Sequence, residues 1–170
     1  GEIGYLDSEL RRLIEAVDAL PGETLVVLVS DHGEEFWDHG EFEHNHSLYE
    51  ELTRTLFWIR PPRGSLTDGP YRVTANVSLA DLAPTLLEFM GESLSEHPPM
   101  DGTSLHPLVQ GAGSEARKDL LTGLRRRSLP MGHLMYATER WGVVSADHKY
   151  ILHRGSGEQE LYNLRDDPTE

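Results

Sequence analysis

Apolar residues recur at steps of three and four over residues 2–20, at Ile3, Leu6, Leu10, Leu13, Ile14, Val17 and Leu20, with Asp7, Glu9, Arg11, Arg12, Glu15 and Asp18 between them. That spacing predicts an amphipathic helix, which Pro21-Gly22 ends. The pattern then changes. Thr24 to Val29 reads TLVVLV, a continuous run of aliphatic residues such as a strand buried on both faces carries. A helix, a tight turn and a buried strand in succession predict an α/β domain whose helices cover a largely parallel sheet.

A polar loop follows over residues 30–46. Ser47-Leu48-Tyr49-Glu50 has the S-x-x-E form of a capping box and predicts a short helix from Ser47. Leu56 to Ile59 reads as a second strand stopped by Pro61-Pro62, and residues 63–71 as a turn-rich loop. Leu79 to Met90 is a further predicted helix, preceded by Ser78 and followed by Gly91, with Pro84 near its start. Residues 92–118 are rich in Pro, Gly and Ser and read as a connection with a short helical turn. Beyond Leu120, Met135 to Trp141, Gly142 to Ser145, Lys149 to His153 and Glu160 to Leu164 are short segments between turn signals. They predict a small antiparallel sheet.

The chain has 170 residues, 15 basic against 29 acidic, for a formal charge of −14. Such a surface repels nucleic acid and anionic membranes. It also means that a site for an anionic ester must create its own positive potential, for which a bound metal is the obvious device. No apolar run approaches the ~20 residues of a membrane span, and no signal peptide is visible, which leaves the compartment open. The absence of cysteine excludes disulfides and thiolate ligands.

Chemistry concentrates in one stretch. Four of the nine histidines fall between His32 and His46. Asp31 and His32 follow directly on the buried strand, at the carboxyl edge where loops of an open α/β sheet converge on ligands. An adjacent carboxylate and imidazole there offer one oxygen and one nitrogen to a divalent ion, and Gly33 lets the chain turn. His44 and His46 alternate, so in an extended loop they point to opposite sides. A histidine beside a metal-bound ester can contact its oxygens or protonate a leaving group. A solvated loop would show the same four histidines and the eight acids of residues 31–51 without this order. Trp37 and Phe42 read as lining for a sugar or aryl pocket or as anchors of the loop. The isolated His97, His106, His133, His148 and His153 read as surface or packing, and the run Arg125-Arg126-Arg127 as a solvated loop rather than a contact for an anionic substrate. Glu50 or Glu51 with Arg54 reads as an ion pair at a helix end.

The stretch SDHGEEFWDHGEFEHNHSLYEELTR resembles the C-terminal metal motif of the sulfatases, a branch of the alkaline-phosphatase-like superfamily. The resemblance continues through VSLADLAPTLLEFMG and DGTSLHPLVQG and ends in HKYILHRGSGEQELYNLRDDPTE. It implies an alkaline-phosphatase-like α/β sandwich with a largely parallel sheet and a small antiparallel C-terminal subdomain. Residues 1–111 would be the C-terminal part of the catalytic domain and residues 112–170 the subdomain.

By that resemblance Asp31 and His32 match the second pair of metal ligands. His44 matches the place, twelve residues later, where relatives set a Lys or His against the sulfuryl or phosphoryl group, and His46 would support it. The metal would be one divalent ion, calcium first, with manganese or zinc as alternatives because of the histidine. The intact enzyme would hydrolyse a small-molecule or saccharide sulfate ester by nucleophilic displacement at sulfur. The family nucleophile, a Cys or Ser in C/S-x-P-S/A-R, has no match here. The nearest stretch, Ser128-Leu129-Pro130-Met131-Gly132, lacks the Arg and follows Asp31. The nucleophile and the other ligands would then lie on a missing N-terminal part, leaving this chain inert alone and open to self-association through an exposed sheet edge. The rival readings are a phosphodiester or phosphonate monoester hydrolase, a phosphoryl-group transferase with the same ligands, and a non-catalytic fragment.

Overall fold

A computed structural model describes residues 1–64, 72–111, 119–124 (backbone only), 140–145 and 147–170. Residues 65–71 of the expected turn-rich loop, residues 135–139 of the segment Met135 to Trp141, the Arg125-Arg126-Arg127 run and His133 lie outside them. The first helix, α1 (Glu2–Asp18), follows the three-and-four pattern. Its apolar stripe is nonetheless open, with Ile3, Leu6 and Leu13 all more than half exposed. Its C-terminal end is tied down through Asp18, which pairs with Arg60 at 3.0 Å and Arg63 at 3.2 Å.

The apolar run forms β1 (Val26–Val29), and a hairpin of β2 (Glu35–Phe36) and β3 (Phe42–Glu43) follows. After it come the one-turn helix α2 (Glu50–Thr53) and β4 (Phe57–Arg60). β1 pairs with β4 antiparallel, Val26 opposite Arg60 and Val29 opposite Phe57. All four β1 residues are half-buried. The expectation of a largely parallel sheet around a fully buried strand is therefore corrected for the described residues, where every strand pair is antiparallel. The reason lies in the connection. A parallel neighbour requires a crossover, usually a helix, whereas residues 30–56 fold into a hairpin and a single helical turn that lead the chain back alongside β1. An apolar run reports burial and not the direction of the neighbouring strand.

A 3-10 turn over Leu79–Asp81 leads into α3 (Leu82–Phe89). Here the capping box is complete. Ser78 Oγ accepts from the Ala80 N–H at 3.2 Å, and Asp81 Oδ2 accepts from the Ser78 N–H at 2.8 Å. Asp81 is fully buried, and its other oxygen accepts from the Thr103 N–H at 2.8 Å. A second 3-10 turn (Leu94–Glu96) and α4 (His106–Val109) occupy the Pro-rich connection.

The chain ends in a four-stranded antiparallel meander, β5 (Asp119–Leu124), β6 (Arg140–Ser145), β7 (His148–His153) and β8 (Gln159–Asn163). β5 was not among the segments expected from sequence. The meander packs on α2 through a buried cation. Lys149 of β7 has no solvent exposure, and its Nζ lies 3.1 Å from Glu50 Oε1, 3.1 Å from Thr53 Oγ1 and 3.0 Å from Glu170 Oε1. Beside it, Tyr49 donates to Glu160 Oε2 at 2.8 Å. Among the described residues no helix is long and apolar enough to cross a membrane.

Candidate active-site loop

Ser30 closes β1, its N–H donating to the Leu56 carbonyl at 3.1 Å and its Oγ accepting from the Leu56 N–H at 2.9 Å. Asp31 and His32 thus stand just past the strand pair. Gly33 is required next. Its N–H donates to the Leu52 carbonyl at 2.9 Å, and a Cβ at this position would lie 1.9 Å from the Glu51 carbonyl oxygen. The loop is therefore pressed backbone to backbone against α2.

The Asp31 side chain is 89% exposed. His32 Nδ1 lies 2.6 Å from the Gly33 carbonyl oxygen, a contact that requires a hydrogen on Nδ1. In the neutral ring the lone pair is then on Nε2, which lies 3.7 Å from Asp31 Oδ1. Metal-binding imidazoles commonly donate their second nitrogen to a backbone carbonyl in this way. Two atoms so separated can share one ion at ligand distances of ~2.0–2.5 Å. The pair fits half of a cation site. No cluster of three or more His, Asp or Glu able to hold a metal occurs among the described residues.

His44 stacks on His32, ring centroids 4.1 Å apart and planes inclined by 27°. Its Nδ1 faces Glu34 Oε1 at 3.2 Å, which leaves Nε2 without a partner among the described residues. His46 points elsewhere, with Nε2 2.6 Å from Oε2 of the fully buried Glu35. The structure thus brings Asp31, His32 and His44 together and sets His46 against the base of the hairpin.

Glu35 organises that hairpin. Its Oε1 accepts from the backbone N–H groups of His39 at 3.0 Å and Glu41 at 2.8 Å. Burial alone would raise the Glu35 pKa, but the hydrogen bonds from His46, Glu41 and His39 outweigh it, and the value is lowered. The opposite face of the hairpin is apolar and open. Phe36, Trp37 and Phe42 are all half exposed or more, with Trp37 and Phe42 stacked at 5.8 Å. Trp37, Glu43 and Asn45 take positive φ of 72–75°, a strained region for non-glycine residues.

Sequence reasoning missed Glu35, His39 and Lys149. The expected pairing of Glu50 or Glu51 with Arg54 is replaced by Glu50 with Lys149 and Glu51 with His39. His153, read as surface or packing, lies in a chain in which Arg140 Nε donates to its Nδ1 at 3.0 Å and its Nε2 bonds Glu160. A groove of about 370 Å³ over β4, with Phe57, Ile59, Val77, Leu105 and Leu108 in its wall, contains none of the loop residues.

The family model of the sulfatases matches residues 1–92. An arylsulfatase of Clostridium perfringens is 28% identical over 173 aligned positions, covering all of this chain and 34% of that protein. Among solved structures, a protein in complex with its substrate D-glucosamine-2-N,6-O-disulfate has a TM-score of 0.68 at 26% identity. The match covers 95% of this chain and 32% of that one. A phosphonate monoester hydrolase of Silicibacter pomeroyi has a TM-score of 0.70 at 22% identity, covering 97% and 32%. The chain spans about a third of the length of the first curated relatives it matches, which are 34% and 30% covered. With the match over more than half its residues, the chain belongs to the sulfatase family.

Proposed function

We propose that the chain is the C-terminal part of a metal-dependent sulfatase that hydrolyses small-molecule or saccharide sulfate esters. The observation that carries the metal half of this reading is the placing of the His32 ring, with Nδ1 on the Gly33 carbonyl and Nε2 turned towards the exposed Asp31 carboxylate. Asp31 and His32 would hold one divalent ion, calcium first, with manganese or zinc as alternatives. The ion would supply positive potential for the ester oxygens and for charge that builds in the transition state.

The remaining tasks fall to side chains. His44 is fixed by its stack on His32 and by Glu34, so its Nε2 is aimed by two contacts and free to meet an ester oxygen or give a proton to the departing alcohol. His46 supports it from below by holding the hairpin to Glu35. The nucleophile and the other ligands would lie outside these 170 residues. The coverage of relatives and the uncovered apolar stripe of α1 support that view. The isolated chain would then be inert, and prone to associate through its exposed apolar surface.

The likeness to a phosphonate monoester hydrolase, as high in TM-score as that to the sugar-disulfate-bound structure, favours a second reading in which a phosphorus ester is the substrate. Matched aryl sulfate, phosphate monoester, phosphonate monoester and phosphodiester substrates, assayed on the full-length protein, decide between them. Highest kcat/KM on the sulfate is expected, and a clear lead for a phosphorus ester selects the rival.

A further inference from the structure

Both ring nitrogens of His39 face oxygen acceptors. Nδ1 lies 2.7 Å from Glu51 Oε1 on α2, and Nε2 lies 3.2 Å from the Glu170 backbone oxygen. A neutral imidazole has one N–H and one lone pair, so in that form one of these contacts would set a lone pair against an oxygen. Only the imidazolium satisfies both. The ring is 21% exposed and stacks on Tyr49 with centroids 4.0 Å apart. The backbone N–H of His39 meanwhile donates to Glu35 Oε1. One residue therefore joins the buried carboxylate of the hairpin, helix α2 and the C-terminal segment.

We infer that His39 is a positioning residue of the site loop, a doubly protonated clasp that holds the hairpin leading to His44 against α2 and the C-terminal segment. The inference rests on the proposed sulfatase reading only for the role given to His44. The groups that face the ring are the Glu51 carboxylate from α2, the Glu35 carboxylate from its own hairpin, the Glu170 backbone oxygen and the Tyr49 ring. The side chains of Glu50 and Glu170 turn instead to Lys149. Burial of the ring disfavours the charged form. The Glu170 backbone oxygen and Glu51, with the charge of Glu35 behind them, outweigh it, and the pKa is raised. A raised pKa means that the clasp is complete below the ordinary imidazole range, at ~6.5, and opens as pH rises through the higher folded value.

Two measurements test this on the full-length protein. In protein labelled with 15N at histidine, the His39 signal is identified by its loss in His39→Phe or, if that variant does not fold, in His39→Gln. Below the ordinary imidazole range both ring nitrogens are expected to carry protons, and one is lost only above that range. A single protonated nitrogen already at low pH overturns the clasp. The second measurement is the ratio of wild-type to His39→Phe turnover, since Phe keeps the stack on Tyr49 and removes both donors. At about pH 6 the ratio in kcat is expected to be ~10–100-fold, as a small misplacement of a reacting group costs, with KM little changed. It should fall towards one as pH rises. A ratio independent of pH overturns the clasp and leaves the sulfatase reading intact. Absence of sulfate hydrolysis by the wild type removes that reading, and the nitrogen signals still decide the clasp.

Discussion

Nε2 of His46 lies 2.6 Å from Oε2 of Glu35, a carboxylate with no solvent exposure at all. With the His39 and Glu41 N–H groups on its other oxygen, Glu35 takes three hydrogen bonds inside the hairpin, while Phe36, Trp37 and Phe42 face outward. The usual arrangement of polar and apolar groups is reversed on this hairpin, and its conformation hangs on one carboxylate.

Removing that carboxylate strands two backbone donors and an imidazole. Glu35→Ala should destabilise the protein by about 3–5 kcal/mol, since three polar groups lose a buried partner at about 1–3 kcal/mol each, measured by urea unfolding. Because the Glu35 pKa is lowered, its stabilisation is present above the ordinary carboxylate range and is lost as pH falls through the folded value. The deficit of the variant should therefore shrink in acid, and a deficit constant with pH would argue against an ionised Glu35.

Asp31 is the opposite case. Its side chain is exposed, and its hydrogen bond to the His32 N–H is local, at 3.1 Å. In the full-length protein Asp31→Ala should leave the melting temperature of the metal-free form within ~0.5 kcal/mol equivalent and abolish most bound metal and activity. Elemental analysis of purified protein checks the metal content, and near-normal content removes Asp31 from the ligand set.

His44 and His46 should separate by readout. His44→Ala should lower turnover about 10²-fold or more, the cost of a lost acid or oxyanion contact, with little change in stability. His46→Ala leaves a buried carboxylate short of a partner, so its main effect should be on stability, by about 1–3 kcal/mol, with a smaller loss of turnover. Thermal melts and steady-state kinetics on both variants would show a reversed order if the two sides of the loop were wrongly assigned.

The two histidines also illustrate what the sequence carries. The H-x-H alternation already separates their directions, and the aliphatic run followed by Asp31-His32 marks the loop's place at a strand end. α1 and the Ser78 cap were legible for the same local reason, since periodicity and capping act within one turn of the residues that encode them. The capping box expected at Ser47 fails because its second half is drawn away. Ser47 Oγ accepts from the Tyr49 N–H at 3.4 Å, the helix starts only at Glu50, and the Glu50 carboxylate turns to Lys149. Glu35, His39 and Lys149 carry no local signal at all. The partners of His39 and Lys149 lie up to 131 residues away and those of Glu35 within 11, but an acid, a histidine or a lysine in a polar stretch reads as solvated until the fold closes over it.

Lys149 yields the sharpest test of how the C-terminal meander supports the loop. Its ammonium lies between Glu50 and Glu170 with no exposure, and Glu50 shares its helix with Glu51, the partner of His39. Lys149→Met keeps most of the length of the side chain and removes the charge, leaving two carboxylates facing each other in a buried space. The expected loss is about 3–5 kcal/mol near neutral pH. Burial already raises the Glu170 pKa against the opposing pull of Lys149, so removing the lysine must raise it further. In the variant, protonation of Glu170 as pH falls through that raised value relieves the repulsion. Unfolding curves of wild type and Lys149→Met should therefore converge as pH falls below neutrality. If the gap stays constant, the lysine acts by packing alone and the meander is not held to α2 by charge.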